Sequence, residues 1–448
     1  MAMPKDFTLG FVPIARTTFD IPLAEQVTAQ ARLLLSEAGY NLVQPDGLVT
    51  SMEAAQEAVA MLAGSPLDGL VVFQATFADS TMVMALAERV RAPLLLWAVP
   101  EARTGGRLRL NSFCGINLGG HALKRAGKRY LYAYAAPDDA RVLQKVGQLA
   151  RVGSVMRQLR GLQIGRVGEN PDGFDSCLVN WDALRERFGV QVEQLDLPAV
   201  FEAVRRVDPA QVETVAAAVG QRVAGLETLD QTAVRGTLAT YVALRDLAGE
   251  HTFGGLAVRC WPQFFTELGC AACGALSLLN DEMLPAACET DVNGTITQLI
   301  LQWLSGEPAF GTDMVSFDQE LDAAVLWHCG KAPLSMCDPE FQPRGTIHSN
   351  RKLPLLLEFP LKPGRVTLAR LSEASGDFRL VVGGGEMLRA DPSFSGTSGL
   401  IRFDRPVDDV LDTIMGEGLE HHVALTYGDY VDELLTLAEW LDVPVLRL

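Results

Sequence analysis

FTLGFVPI (residues 7–14) followed by PLAEQVTAQARLLLSEAG (residues 22–39) decides the architecture. The first run is short, apolar and bounded by polar residues, as a buried strand is. The second repeats its apolar residues at helical spacing and stops at Gly39. The pair then recurs: YNLVQP (40–45), MEAAQEAVAMLAG (52–64), DGLVVFQA (68–75), DSTMVMALAERVRA (79–92, capped by Asp79 or Ser80) and APLLLWAVP (92–100). Strand and helix in strict succession imply a parallel sheet covered on both faces. This open α/β domain is expected to end near residue 160.

A second α/β unit begins at LQIGRVG (162–168). It runs through a long helical stretch over about 209–248, the strand GGLAVRCW (254–261), a helix near GCAACGALSLLNDE and the short strand PAACET, and closes with the helix VNGTITQLILQWLSG. After about residue 310 short β runs crowd together: LPLLLEFPL, GRVTLARLS, DFRLVVGGGEML and SGLIRFD. Their close spacing predicts an antiparallel sheet or small barrel. The chain then returns to helix, strand, helix, strand. The expected fold is therefore α/β: two open, Rossmann-like α/β domains (1–160 and 161–310) followed by a C-terminal β-rich, barrel-like domain (311–448).

The 448 residues carry a formal net charge of −17, which argues against a nucleic-acid-binding face. The longest apolar run, ITQLILQWL (296–304), carries two glutamines and is about half of the ~18 residues that a membrane helix needs. Eight cysteines occur behind an opening segment, MAMPKDFTLGFVPIAR, that lacks a signal-peptide core. Reduced thiols and a cytoplasmic location are expected. CAAC (270–273) lacks the second pair that a zinc ribbon needs and reads as buried thiols in a helix. GGG (383–385) is followed by no Lys-Ser or Lys-Thr and reads as a turn or bulge. No dinucleotide fingerprint opens either α/β domain.

The chemistry is distributed. CETDVNG (288–294) places Glu289 and Asp291 between a strand and a helix, at the end where open α/β sheets bind ligands. Asp313 follows in FGTDMVSFD, His328 in WHCG, and His421 and His422 stand together in GLEHHVALTYGD. Taken singly, each carboxylate is as readily a helix cap or a surface charge. Taken together, carboxylates plus an imidazole suit Mn²⁺ or Mg²⁺ better than a structural zinc. If 421–427 is a strand, the two histidines point to opposite faces. His421 then shares its face with the bulky Val423, Leu425 and Tyr427, whereas His422 shares its face with the small Ala424 and Thr426, which leave room for a ligand.

AVRCWPQF (257–264), LPAACETDVNGTITQLILQWLSG (284–306), FGTD (310–313) and EHHVALTYGDYVDELLTLAEWLDVPV (420–445) resemble the L-fucose isomerase / L-arabinose isomerase superfamily, in its shorter, fucose isomerase-like members. In architecture the likeness covers most of the chain. It implies a metal-dependent ketol isomerase that interconverts an aldose and a ketose through an enediolate. The metal implied is one divalent ion, Mn²⁺ with Mg²⁺ or Co²⁺ as alternatives, on Glu289, Asp313 and His422. Glu289 and Asp313 would double as acid/base groups. Arg16, Trp261, Gln263, His328 and His421 are the implied substrate contacts, with His421 either packed or reaching for substrate. A homo-oligomer, trimer or hexamer, sharing its site between subunits is implied. Which sugar is isomerised stays open, from neutral to sulfonated. Two other readings stay open: a sugar-binding or sensor protein without catalysis, and a metal-dependent epimerase or aldolase.

Overall fold

A computed structural model describes residues 7–448; the first six residues of the opening segment lie outside them. The chain divides into two compact units, one up to Gln158 and one from Leu159 onward. Among the described residues no helix is long and apolar enough to cross a membrane.

In the first unit, strands β1 (Thr8–Ile14), β2 (Asn41–Val43), β3 (Gly69–Gln74), β4 (Leu94–Ala98) and β5 (Leu131–Tyr134) form one sheet in the order β2-β1-β3-β4-β5, with every pairing parallel. Alternating residues feed two cores. Phe11, Phe73, Leu95 and Trp97 pack on one face, and Val12, Leu70, Val72 and Leu96 on the other. Burial on both faces explains why these strands read as continuous apolar runs. The strand order reverses between β1 and β3, the crevice where such sheets take ligands. Arg16 lies just beyond β1 there, its backbone N–H donating to Thr76 Oγ1 and its guanidinium 2.6 Å from Asp79.

The helix Ala140–Leu159 crosses the start of β3 at Gly153, where an added Cβ would lie 1.6 Å from the backbone oxygen of Asp68. Arg157 fixes the same crossing by donating twice to the buried Asp68 carboxylate, at 2.9 and 2.7 Å. Backbone cannot yield as a side-chain tip can. Gly153→Ala is therefore expected to cost about 2–3 kcal/mol and to lower the unit's calorimetric midpoint by several degrees; an unchanged midpoint would show that the helix slides freely.

The second unit holds a four-stranded parallel sheet, β6 (Gln163–Val167), β7 (Gln191–Leu195), β8 (Gly255–Val258) and β9 (Ala286–Cys288), in the order β7-β6-β8-β9. The helical stretch expected over 209–248 is two helices, Pro209–Gly220 and Gln231–His251, the second restarted by Asp230 capping Thr232. The helix Val292–Ser305 leaves β9 and packs on both this sheet and the β-rich part that follows.

That part contains β10 (Phe310–Asp318), β11 (Ala323–His328), β12 (Arg344–Thr346), β13 (Leu356–Pro360), β14 (Gly364–Ser372), β15 (Arg379–Leu388), β16 (Thr397–Phe403), β17 (His422–Tyr427) and β18 (Val445–Arg447). Strands β16-β11-β10-β17-β14-β15 run side by side, and β15 pairs back to β16, closing a barrel. The GGG segment is neither turn nor bulge. It lies in mid-β15, Gly383 to Gly385 facing Leu368, Thr367 and Val366 in unbroken register. A Cβ on Gly385 would stand 2.4 Å from the Arg402 carbonyl oxygen, so glycine allows the close approach at which the barrel closes.

Candidate active site

Three strand ends converge. Glu289 and Thr290 follow β9 with left-handed φ of 58° and 56°, a conformation that costs a non-glycine residue roughly 1–2 kcal/mol. The amide of Asn170 holds the corner by donating to the carbonyl of Glu289 at 3.0 Å. The kink ends the strand, and Asp291 caps the next helix through Gly294 N at 2.8 Å. Meanwhile β10 and β17 pair with Asp313 directly opposite His422, which places both side chains on one face. The alternation expected to start at His421 starts one residue later. His421 precedes the strand and stays 38% exposed, while His422 is 5% exposed.

His422 Nε2 lies 3.6 Å from Glu289 Oε2 and 3.4 Å from Asp313 Oδ1. Its other nitrogen, Nδ1, is 2.9 Å from Asp291 Oδ2. The Asp291 carboxylate is in turn bound by Arg370 at 2.5 Å, with both side chains almost wholly buried. On the open side, His421 Nε2 lies 3.0 Å from Glu289 Oε2, and Trp261 Nε1 donates to Glu289 Oε1 at 3.1 Å. Phe174 packs edge-on to both Trp261 and His421.

Comparison with known proteins places this chain in a family. Residues 10–160 match the fucose/sulfoquinovose isomerase N-terminal domain, and residues 357–448 match the L-fucose isomerase C-terminal domain. The sulfoquinovose isomerase of Alkalicoccus urumqiensis is 35% identical over 442 residues, covering 98% of this chain and 99% of the relative. The chain belongs to the fucose/sulfoquinovose isomerase family. Proteins of the same description from Priestia aryabhattai and Clostridium sp. (strain MSTE9) are 33% and 30% identical, each aligned over 98% of both chains. Glu289 and Asp313 lie between the two matched domains, within the span that the full-length relatives cover.

The donor chemistry of this sugar isomerase fits a divalent cation. Asp313 Oδ1 is buried without a hydrogen-bond partner, an arrangement that leaves an acceptor's desolvation uncompensated. Neighbouring ligand atoms of an octahedral site of about 2.1 Å radius stand roughly 3 Å apart, close to the carboxylate–imidazole separations here. Cys177, Glu289, His421 and His422 offer donor atoms within 4.8 Å of one another, as do Cys288, His328 and His422; Asp313 belongs to neither group. Burial pushes the thiols of Cys177 and Cys288 up, with nearby negative charge adding to the effect at Cys177. They stay protonated and are poor ligands. What remains is Glu289 with two imidazoles, to which Asp313 adds a carboxylate oxygen 3.4 Å from His422 Nε2, a mixed oxygen and nitrogen set suited to Mn²⁺, Mg²⁺ or Co²⁺.

The two carboxylates are pushed in opposite directions. Burial raises Asp313 against the opposing charge of His422. Burial would also raise Glu289, but the hydrogen bond from His421, the charge of His422 and the Trp261 N–H outweigh it and hold Glu289 low. Burial opposes a charge on His422, yet with Cys288 a neutral thiol the hydrogen bond and negative charge of Asp291 still push its ring up. A positive charge is thus favoured where Nε2 meets the carboxylates, the place where a bound cation would take over from a proton.

The structure therefore brings together Glu289, Asp313, His421, His422 and Trp261. Gln263 is turned to Arg259, whose Nε donates to its Oε1 at 3.0 Å. His328 is buried behind Cys288, with Nε2 2.9 Å from Sγ, and burial among cations keeps it neutral. Arg16 belongs to the first unit. Of the CAAC thiols only Cys273 enters the helix, and its sulfur lies 3.2 Å from Cys329 rather than against Cys270. Sequence reasoning missed Arg370. Its signal was an arginine in the middle of GRVTLARLS, flanked by the buried Ala369 and Leu371.

Proposed function

We propose that this protein is a divalent-metal-dependent aldose–ketose isomerase that converts sulfoquinovose into the corresponding 2-ketose, working as a homo-oligomer in the cytoplasm. The observation that carries the reading is the convergence of Glu289 and Asp313 on the Nε2 of a histidine whose Nδ1 is fixed by buried Asp291. A carboxylate behind a ligating histidine is the usual second partner of a metal site. The substrate is inferred from the relatives, which align over almost the whole chain.

Glu289, Asp313 and His422 would hold the cation. When bound, it supplies Lewis-acid polarisation of the substrate carbonyl and offsets charge developing on O1 and O2. Glu289, held low and fixed by Trp261 and His421, stays charged. Asp313, raised by burial, is suited to take the C2 proton of the aldose and return it to C1. O1 gains a proton as the enediol forms, and O2 loses one as the ketone forms, so atoms and electrons balance without an external oxidant. His421 is placed to carry the hydroxyl proton, because it touches Glu289 on one side and Ser176 Oγ, at 2.8 Å, on the other.

The test is proton NMR of sulfoquinovose in D₂O with purified enzyme, before and after EDTA treatment. The expected result is conversion to a ketose of unchanged carbon number with deuterium entering at one carbon. EDTA should abolish activity and Mn²⁺ should restore it. A protein that contains no divalent metal and works unchanged in EDTA would sink the metal reading. Carbon–carbon cleavage or inversion without a ketose would identify an aldolase or epimerase instead.

A further inference from the structure

A sulfonated sugar presents a problem that the reacting centre does not solve. The groups around C1 and C2 are carboxylates and imidazoles, while the far end of the substrate carries a full negative charge. A cation must meet it. Several cations near the site are engaged elsewhere. Arg370 is buried against Asp291, with Glu420 3.9 Å away. Lys331 is 1% exposed, and its charge interacts with Asp313. Arg259 donates Nη1 to the carbonyls of Glu169 and Asn170. Arg166 binds Gln194 and Asn170.

Arg351 differs from these. Its guanidinium lies 4.6 Å over the Trp261 ring and 5.3 Å over Phe265, and no carboxylate pairs with it among the described residues. Its Nη1 is 3.2 Å from His348 Nε2. His348 is itself kept neutral, pushed down to about 4 by burial and by the charge of Arg351, so it orients the guanidinium without neutralising it. The loop is closed by backbone bonds from Lys352 N to the His348 carbonyl and from His348 N to the Leu353 carbonyl, at 2.8 and 2.9 Å. Lys352 adopts a left-handed φ of 60°, a strained conformation of the kind found at ligand clamps.

The N–H of the same indole donates to Glu289. Arg351 therefore stands one aromatic ring away from the carboxylate at the reacting centre. In an extended sugar built from bonds of about 1.5 Å, the C6 sulfonate lies about 6–8 Å from C1 and C2, so its partner must stand well away from Glu289 and Asp313. A planar guanidinium can meet a tetrahedral oxyanion with two parallel hydrogen bonds, which an ammonium cannot.

We propose that Arg351, carried on the face of Trp261, is the residue that recognises the substrate's sulfonate. This rests on the sulfosugar reading above. Trp261, an implied substrate contact, is then the platform for the cation that reads the sugar's charged end.

The experiment compares sulfoquinovose with glucose and 6-deoxyglucose, which lack the sulfonate, in the wild type, Arg351→Gln and Arg351→Lys. Each neutral sugar is measured both as substrate and as competitive inhibitor. In Arg351→Gln, KM for sulfoquinovose should rise about 10- to 100-fold, the range for losing a charge-assisted contact to an anion. Its kcat should change much less, and neutral-sugar affinity should move less than about 3-fold. Arg351→Lys should recover part of the loss. If Arg351→Gln weakens neutral and sulfonated sugars alike, or neither, Arg351 only steadies Trp261 and the proposal fails. Wild-type enzyme that isomerises neutral sugars but not sulfoquinovose overturns the sulfosugar reading itself, and this proposal with it.

Discussion

Glu289→Gln is expected to lower turnover by at least about 10³-fold, the combined scale of losing a charged ligand and an acid/base partner, while leaving the fold intact. The substitution keeps size and shape, and one amide oxygen can still accept from Trp261 Nε1. What goes is the negative charge between His421 and His422. The amide nitrogen would then face His421 Nε2, now 3.0 Å from a carboxylate oxygen, and His422 Nε2 at 3.6 Å. The contacts with His421, His422 and Trp261 outweigh burial and favour the charged carboxylate, so the melting midpoint should fall modestly while the fold stays intact. The measurements are steady-state rates, metal content of the purified variant and a thermal melt. Most of the activity surviving, with metal still bound, would mean that Glu289 is not in the chemistry.

The fold was legible because its elements obey local rules. Apolar strands such as DGLVVFQA and capped helices such as the one opened by Asp79 carry their signals within a few residues, and Asp79 does cap Thr81. GGG misled because a glycine run in mid-strand becomes useful only when a distant strand, here the one carrying Arg402, comes close. The long helical stretch misled because apolar spacing continues across the break that Asp230 repairs. The site was partly legible for the same reason. Glu289 and Asp291 announce themselves at a strand-to-helix corner, whereas their partners are set by register. Nothing local places His422 opposite Asp313, or Arg370 against Asp291; β10–β17 pairing and barrel closure do that. The strand-face reasoning singled out His422 and left His421 packed or reaching for substrate; His421 lies before the strand begins and turns to Glu289.

Asp291→Asn should show how much of the site depends on a residue that touches no substrate. Asp291 does three things at once. It caps the helix Val292–Ser305, pairs with Arg370 and orients His422. Burial alone would raise its carboxyl, but Arg370 and His422 hold it well below the usual carboxylate range. An asparagine has one oxygen for three donors. If that oxygen keeps the cap, the amide nitrogen confronts Arg370 and His422; if it turns to Arg370, the cap is lost. Arg370 is left as a buried cation with only Glu420, 3.9 Å away, and the Ser176 carbonyl, 3.3 Å away. Breaking one side of a buried pair costs about 3–5 kcal/mol, so the second unit's melting midpoint should fall markedly. Metal affinity should drop about 10- to 100-fold, the usual loss when the partner behind a ligating histidine is removed. The double variant Asp291→Asn/Arg370→Gln separates the two effects. Removing both charges should return part of the stability, because no unpaired cation remains, but not the metal affinity, because His422 still lacks its anchor. A single variant that melts and binds metal like the wild type would show that the Asp291–His422 contact organises nothing. A double variant that recovers both properties would place the whole role of Asp291 in neutralising Arg370.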